Sequence, residues 1–108
     1  MAPLRNLVAL RYLDVGYNSI TNVSALENLL ALETLVVDAN SITDVGPIGN
    51  LRALTYLALL DNSVTDVEPL TQLTELSYLV IVGNPVDCSS PAIATLDQNI
   101  ASFFSDCP

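Results

Sequence analysis

The sequence predicts a right-handed α/β solenoid of stacked repeats, with a short parallel sheet on the concave face and 3₁₀ or short helical turns on the convex face. Asparagine recurs with a step of 22 residues, at Asn18, Asn40, Asn62 and Asn84. Before each asparagine, apolar residues lie two apart, which is typical of a strand, and after it they lie three apart, which suits a 3₁₀ turn. A fixed period of this length is typical of repeats that share one core.

Four strands follow from the phrase Leu-x-x-Leu-x-apolar that precedes each asparagine. We expect them to start near Leu10, Leu32, Leu54 and Leu76, after a half repeat at residues 1–9. No repeat can bury its apolar side chains alone, so the copies at residues 1–86 are expected to stack with their strands about 4.8 Å apart. The result is one domain with a single continuous core.

The recurring asparagines are interpreted as structural. A buried amide must be hydrogen-bonded, and an inward asparagine offers two donors and an acceptor. We expect each side chain to bond the backbone of its own turn and of the next one, forming a ladder. In the convex half, a polar residue precedes each turn and is expected to cap it with a side-chain oxygen; these residues are Asn22, Asp44 and Asp66.

The first residues align with the second half of a repeat. Residues 3–7 match residues 47–51, and Met1 falls in the column of Val23. We therefore expect a fragment of a longer protein, with Met1 as an added start; the alternative is that Met1 is the native start. An uncapped end exposes apolar side chains, so Met1, Leu4 and Leu7 are expected to drive self-association.

A C-terminal cap is predicted at residues 87–108, where the repeat pattern ends. Ser90 followed by Pro91 is a helix start signal. Three apolar residues beyond this helix are expected to cover the open end of the core: Ile100, Phe103 and Phe104.

Cys88 and Cys107 flank the cap and are the two cysteines of the chain. We expect a disulfide between them, contributing about 3 kcal/mol in the chain-entropy model. The alternative is two free thiols in a reducing compartment. A metal site is not expected, because the chain has no His and two cysteines are too few ligands.

These repeats resemble leucine-rich repeats of the 22-residue type. That type occurs in internalin-like bacterial surface proteins and in the intracellular phosphatase-regulator class. The resemblance covers residues 3–86 and implies a protein-binding solenoid. The segment from Asn84 to Cys88 also resembles the start of cysteine-stapled caps in secreted repeat proteins, although the chain has two cysteines where the fuller version has four.

Composition excludes several classes of partner. The net charge is −9, with three Arg, no Lys and 12 acidic residues. Nucleic acid and anionic membrane surfaces both require a basic face, so neither is expected as a partner. No apolar run approaches the ~18 residues of a membrane span, so membrane insertion is not expected.

Catalysis is not predicted. Without His or Lys, the usual nucleophilic triads, Schiff bases and phosphate loops are missing, and no cofactor is expected. Asp38 and Asp61 are the best candidates for a carboxylate pair or a weak Ca²⁺ site. We interpret them as solvated or hydrogen-bonded carboxylates that give polar specificity at one edge of the concave face.

Outward-facing strand positions carry the functional prediction, since side chains alternate along a strand. They are unusually rich in tyrosine and aliphatic residues, which suggests a contact surface. The predicted binding residues are Tyr12, Tyr56, Tyr78, Val36, Leu60, Val80, Val82, Asp38 and Asp61. Two alternatives remain: strand propensity alone explains Val and Tyr, or another domain covers this face.

The predicted function is therefore recognition of a protein partner by a secreted or surface protein, in an extracellular, periplasmic or cell-surface location. The alternatives are a structural spacer without a ligand and a cytoplasmic scaffold of the phosphatase-regulator kind.

Overall fold

Five parallel strands of three residues each form the sheet in the computed structural model, which describes residues 8–107. They lie side by side in chain order. The strands are β1 (Tyr12–Asp14), β2 (Thr34–Val36), β3 (Tyr56–Ala58), β4 (Tyr78–Val80) and β5 (Ser102–Phe104). The first residues of β1 to β4 are aligned across the sheet, so the 22-residue repeat sets the strand register directly.

The first four strands begin two residues later than the leucine phrase indicated. The backbone N–H of Leu32 still donates to the carbonyl of Leu29 in the preceding turn, at 3.0 Å, and Leu54 does the same with Leu51. These leucines are fully buried but belong to the end of the turn. Cross-strand pairing starts only after them.

β5 is a strand that the four-strand prediction missed. Phe103, expected to cover the open end, lies opposite Leu79 and packs against the core, whereas Phe104 lies opposite Val80 and is 48% exposed. Phe104 therefore belongs to the concave face and does not cover the core. The reason is alternation along the strand, which sends consecutive side chains to opposite sides.

Three 3₁₀ helices occupy the convex side: Ser24–Leu26, Ile48–Asn50 and Glu68–Gln72. The polar residue before each one accepts a hydrogen bond from the N–H two residues later, with distances of 2.8 to 2.9 Å for Asn22, Asp44 and Asp66. These bonds order the chain just before each helix. The N-cap residues themselves are Val23, Pro47 and Val67 and make no side-chain cap bond, so the polar residues lie one to three positions earlier than a cap requires.

One continuous core runs between the sheet and the turns. Leu35, Leu57 and Leu79 are 0% exposed and stack in one column. Full burial of such a side chain contributes about 2 to 3 kcal/mol, and each repeat supplies several. Stability therefore comes from neighbouring repeats covering one another.

The asparagine side chains hold successive turns together. Asn62 donates to the carbonyl of Leu59 in its own turn, at 3.1 Å, and to that of Val37 one repeat earlier, at 3.0 Å. Its Oδ1 accepts from the N–H of Ile42, at 3.1 Å. The ladder thus reaches the preceding repeat, not the following one as expected. Asn84 repeats the pattern, since its amide donates to the Leu59 carbonyl one repeat earlier, at 2.8 Å.

The cap consists of helix α1 (Pro91–Asn99) and β5. The Oγ of Ser90 accepts the N–H of Ala92 at 3.2 Å, and Leu96 is buried against the last repeat. The predicted disulfide is present between Cys88 and Cys107, 19 residues apart in sequence. No helix within residues 8–107 has the length and hydrophobicity needed to span a bilayer. Met1, Leu4 and Leu7, predicted to drive self-association, lie outside the described residues.

Candidate functional site

The concave face carries a row of side chains from the first position of each strand. Tyr56 and Tyr78 are paired in register on β3 and β4, and their rings stack with centroids 4.3 Å apart and planes 3° apart. Adjacent strands are about 4.8 Å apart, so in-register tyrosines are placed at stacking distance by the sheet itself. On β1, Tyr12 is 61% exposed, and Thr34 separates it from Tyr56.

Phe104 is the third residue of β5, in the column of Val80, and continues the aromatic contacts of this row toward the cap. Sequence reasoning did not assign it to the site. Its ring centroid lies 5.6 Å from that of Tyr78, with the planes tilted by 53°. The available signal was the alternation of Ser102, Phe103 and Phe104, but this segment lacks both the leucine phrase and the asparagine that marked the other strands. The aromatic row is therefore Tyr12, Tyr56, Tyr78 and Phe104.

The aliphatic residues predicted for this face are half-buried, as are Tyr56 and Tyr78, whereas Tyr12 and Phe104 are exposed. Val36, Leu60, Val80 and Val82 are each half-buried. Ala58, between Val36 and Val80 in the same column, is only 5% exposed. Neighbouring side chains shield one another because every strand places its residues in the same columns. We call these four residues, Val36, Leu60, Val80 and Val82, the floor of the face.

The Asp38 side chain lies on the concave face and also forms a hydrogen bond with the backbone of the next repeat. Its Oδ1 accepts the N–H of Leu60 on the next repeat, at 2.8 Å. Burial raises the pKa of Asp38, the bond from Leu60 opposes this shift, and the charges of Asp14 and Asp61 raise the pKa further. The three carboxylates therefore lie near enough to repel one another.

Asp61 lies in a left-handed turn after β3. Its φ is 56°, and Tyr17 and Ala39 take the same conformation in the two preceding repeats, with Gly83 in the repeat that follows. The N–H of Asp61 donates to the carbonyl of Val82, at 3.0 Å. In the last repeat the N–H of Gly83 donates instead to Oδ2 of Asp106, at 2.8 Å, so a cap side chain takes the place of a backbone carbonyl.

Tyr56 lies where the aromatic and acidic residues meet. Burial raises the pKa of its phenol, as do a hydrogen bond with Tyr78 and the nearby Asp38 and Tyr12. Side chains from β1, from β4 and from the segment after β2 thus all act on the one phenol of β3. Among residues 8–107, no group of three or more potential metal-ligating His, Cys, Asp or Glu side chains comes together.

An open cavity of about 690 Å³ lies beside the cap at the end of the aromatic row. Val82 and Phe104 line it from the concave side, and Ile93 and Asp97 of α1 line it from the other. The concave face therefore borders this cavity where the sheet meets the cap.

Solved structures with this architecture include internalins. The chain matches an internalin, InlF, from Listeria monocytogenes with a TM-score of 0.85 and 28% identity over 99% of its length. It matches internalin C2 of the same organism with a TM-score of 0.83 and 28% identity over 97% of its length. The chain folds as an internalin-like leucine-rich repeat.

A third internalin shows the same fold at lower identity. The functional domain of InlJ from Listeria monocytogenes, which includes a cysteine ladder, gives a TM-score of 0.75 and 23% identity over 94% of the chain. The internalin-like chain spans only 30%, 46% and 26% of the three proteins, in the order given. No family model matches the sequence, and no curated protein matches it.

Proposed function

We propose that this internalin-like repeat is a non-catalytic protein-recognition module that binds its partner through the concave face, as part of a larger secreted or surface protein. The observation that supports this most is the aromatic row of Tyr12, Tyr56, Tyr78 and Phe104. Tyr12 and Phe104 are 61% and 48% exposed, although the core is complete without them. Aromatic rings grouped on one accessible face are characteristic of contact surfaces.

Rigidity makes this row suitable for binding. Each ring stands on a strand whose register is fixed on at least one side by a neighbour, and Tyr56 and Tyr78 already stack. Binding would therefore cost little conformational entropy on this side of the interface, because the side chains of the row are already ordered. A small entropy cost favours affinity. The half-buried aliphatic floor adds apolar area between the rings.

The disulfide supports an extracellular, periplasmic or cell-surface location. Disulfides persist in oxidising compartments and are rare in the cytosol. The same bond speaks against the cytoplasmic phosphatase-regulator alternative, in which Cys88 and Cys107 would be free thiols.

Capture of a partner by the immobilised chain, followed by competition with variants, tests the proposal. Tyr56→Ser and Leu60→Ser alter the concave face, and Leu30→Ser is a matched control, because Leu30 is 61% exposed but lies outside the sheet. We expect both concave variants to lose a partner that the wild type and Leu30→Ser retain. Loss with Leu30→Ser alone would move the site to the convex side. Equal binding by all four proteins would favour a structural spacer.

Self-association stays a separate proposal. Light scattering at increasing concentration tests it, and a strict monomer at high concentration would contradict it.

A further inference from the structure

A slot interrupts the aromatic row above Thr34. Tyr12 and Tyr56 flank Thr34 in the register of the sheet, on β1 and β3. Two strand spacings of about 4.8 Å separate the two tyrosine positions, roughly 9.6 Å in all. By contrast, Tyr56 and Tyr78, with nothing between them, stack at 4.3 Å. The slot is therefore wide enough for one planar group between two rings.

The position of a group in the slot matches the geometry of cation–π contacts. A group centred above Thr34 lies about 4.8 Å from each flanking strand. A cation interacts with an aromatic ring within about 6 Å of its centroid. Both rings are therefore within reach of the same cation, and Tyr12 is exposed enough to turn toward it.

The charged side chains beside the slot on the concave face are acidic. Asp14 follows Tyr12 by two residues on the same face, and Asp38 influences Tyr56 directly. The two described arginines do not neutralise them: Arg11 pairs with Glu33 at 3.3 Å, and Arg52 donates to Gln72 on the convex side at 2.9 Å. A cation from outside would relieve repulsion among these carboxylates.

We propose that the partner inserts an arginine side chain between Tyr12 and Tyr56, above Thr34, and pairs its guanidinium with the carboxylate of Asp14, while Asp38 adds a longer-range attraction. This inference rests on the proposed function, since it specifies the chemistry of the partner at the concave face. Arginine fits better than lysine because its planar, weakly hydrated group stacks on rings and forms paired hydrogen bonds with carboxylates.

Intrinsic fluorescence provides the assay, because the chain has four tyrosines and no tryptophan. Three of the four, Tyr12, Tyr56 and Tyr78, lie in the aromatic row. The probe is an acetylated and amidated peptide of sequence Ser-Leu-Arg-Leu-Ser. Its matched controls replace arginine with citrulline, which has the same shape but no charge, or with lysine. We expect the arginine peptide to bind at least about tenfold more tightly than the citrulline peptide, and less tightly as salt rises.

Thr34→Tyr fills the slot without changing the charge, and Thr43→Tyr adds the same ring at an exposed position outside the sheet. We expect Thr34→Tyr to abolish binding of the arginine peptide and Thr43→Tyr to leave it unchanged. Asp14→Asn should weaken binding about three- to tenfold without affecting the fold, so it tests the proposal even where Thr34→Tyr is unstable.

Equal binding of the arginine and citrulline peptides would overturn the arginine proposal, as would binding that survives Thr34→Tyr or no binding at millimolar concentration. The proposed function is judged separately, by the effect of Tyr56→Ser on the captured partner. That effect can persist when the arginine proposal fails, so the two failures are distinguishable.

Discussion

Replacing Asn62 with alanine tests how the solenoid is held together. Asn62 is 7% exposed, and its side chain bonds Leu59, Val37 and Ile42 at 3.0 to 3.1 Å. Each such bond contributes about 1 kcal/mol net, and buried partners left without a bond cost about 1 to 3 kcal/mol more. We expect Asn62→Ala to lower the free energy of unfolding by about 3 to 5 kcal/mol, a large part of the ~5 to 15 kcal/mol typical of a domain.

Urea unfolding followed by circular dichroism at 25 °C measures this loss as a shift in midpoint at constant slope. Asn18→Ala is the matched control, because Asn18 is exposed and, within residues 8–107, its amide bonds only Val15 and Gly16 of its own turn. We expect the control to lose about 1 kcal/mol or less. A loss below about 1 kcal/mol for Asn62→Ala, or equal losses for both variants, would refute the ladder as a source of stability.

Three other perturbations follow from the same contacts. Gly49→Ala should lower the free energy of unfolding by about 1 to 3 kcal/mol, because a Cβ at this position would lie 2.7 Å from the carbonyl oxygen of Pro69. An unchanged unfolding midpoint would contradict this packing. Cys88→Ser should cost about 3 kcal/mol in the same assay by opening the cap, and a cost below 1 kcal/mol would show that the cap is held without the disulfide. The pKa of Asp38 is raised, so the folded state binds this proton more tightly than the unfolded state does. The free energy of unfolding should therefore fall as pH rises from the ordinary pKa of 3.8 through the raised one. Asp38→Asn should flatten that part of the pH profile, while its amide oxygen still accepts the N–H of Leu60. An identical profile for wild type and variant would contradict this cause.

The repeat made most of the fold predictable from sequence. Because Asn18, Asn40, Asn62 and Asn84 recur at a constant step, the inward and outward columns of four strands could be assigned by counting alone. The parallel sheet and convex 3₁₀ turns are confirmed. Local rules were sufficient here because each copy faces an almost identical neighbour.

The cap was harder to predict because the repeat no longer constrains it. Ser102 pairs with Tyr78 although the two are 24 residues apart, so β5 does not keep the 22-residue step. A helix intervenes between them. Consequently Phe104 was assigned to covering the core, and its place in the aromatic row was missed.

Backbone conformation at the edge of the concave face also escaped prediction. Ala39 and Asp61 adopt positive φ, which side chains other than glycine rarely do, and only Gly83 gave a sequence signal for it. The cross-strand bonds that follow the strands fix this conformation, such as that from the N–H of Ala39 to the carbonyl of Leu60 at 2.8 Å. The binding role of this face remains a proposal that the geometry supports.

Amide chemical-shift mapping of the captured partner onto the isotope-labelled chain tests the concave-face proposal most directly. We expect the largest changes at β1 to β5 and at the residues that follow each strand, centred on Thr34 and Tyr56. The turns at Ser24–Leu26, Ile48–Asn50 and Glu68–Gln72 should change little. Changes concentrated in those turns, with the strands unaffected, would contradict recognition through the concave face.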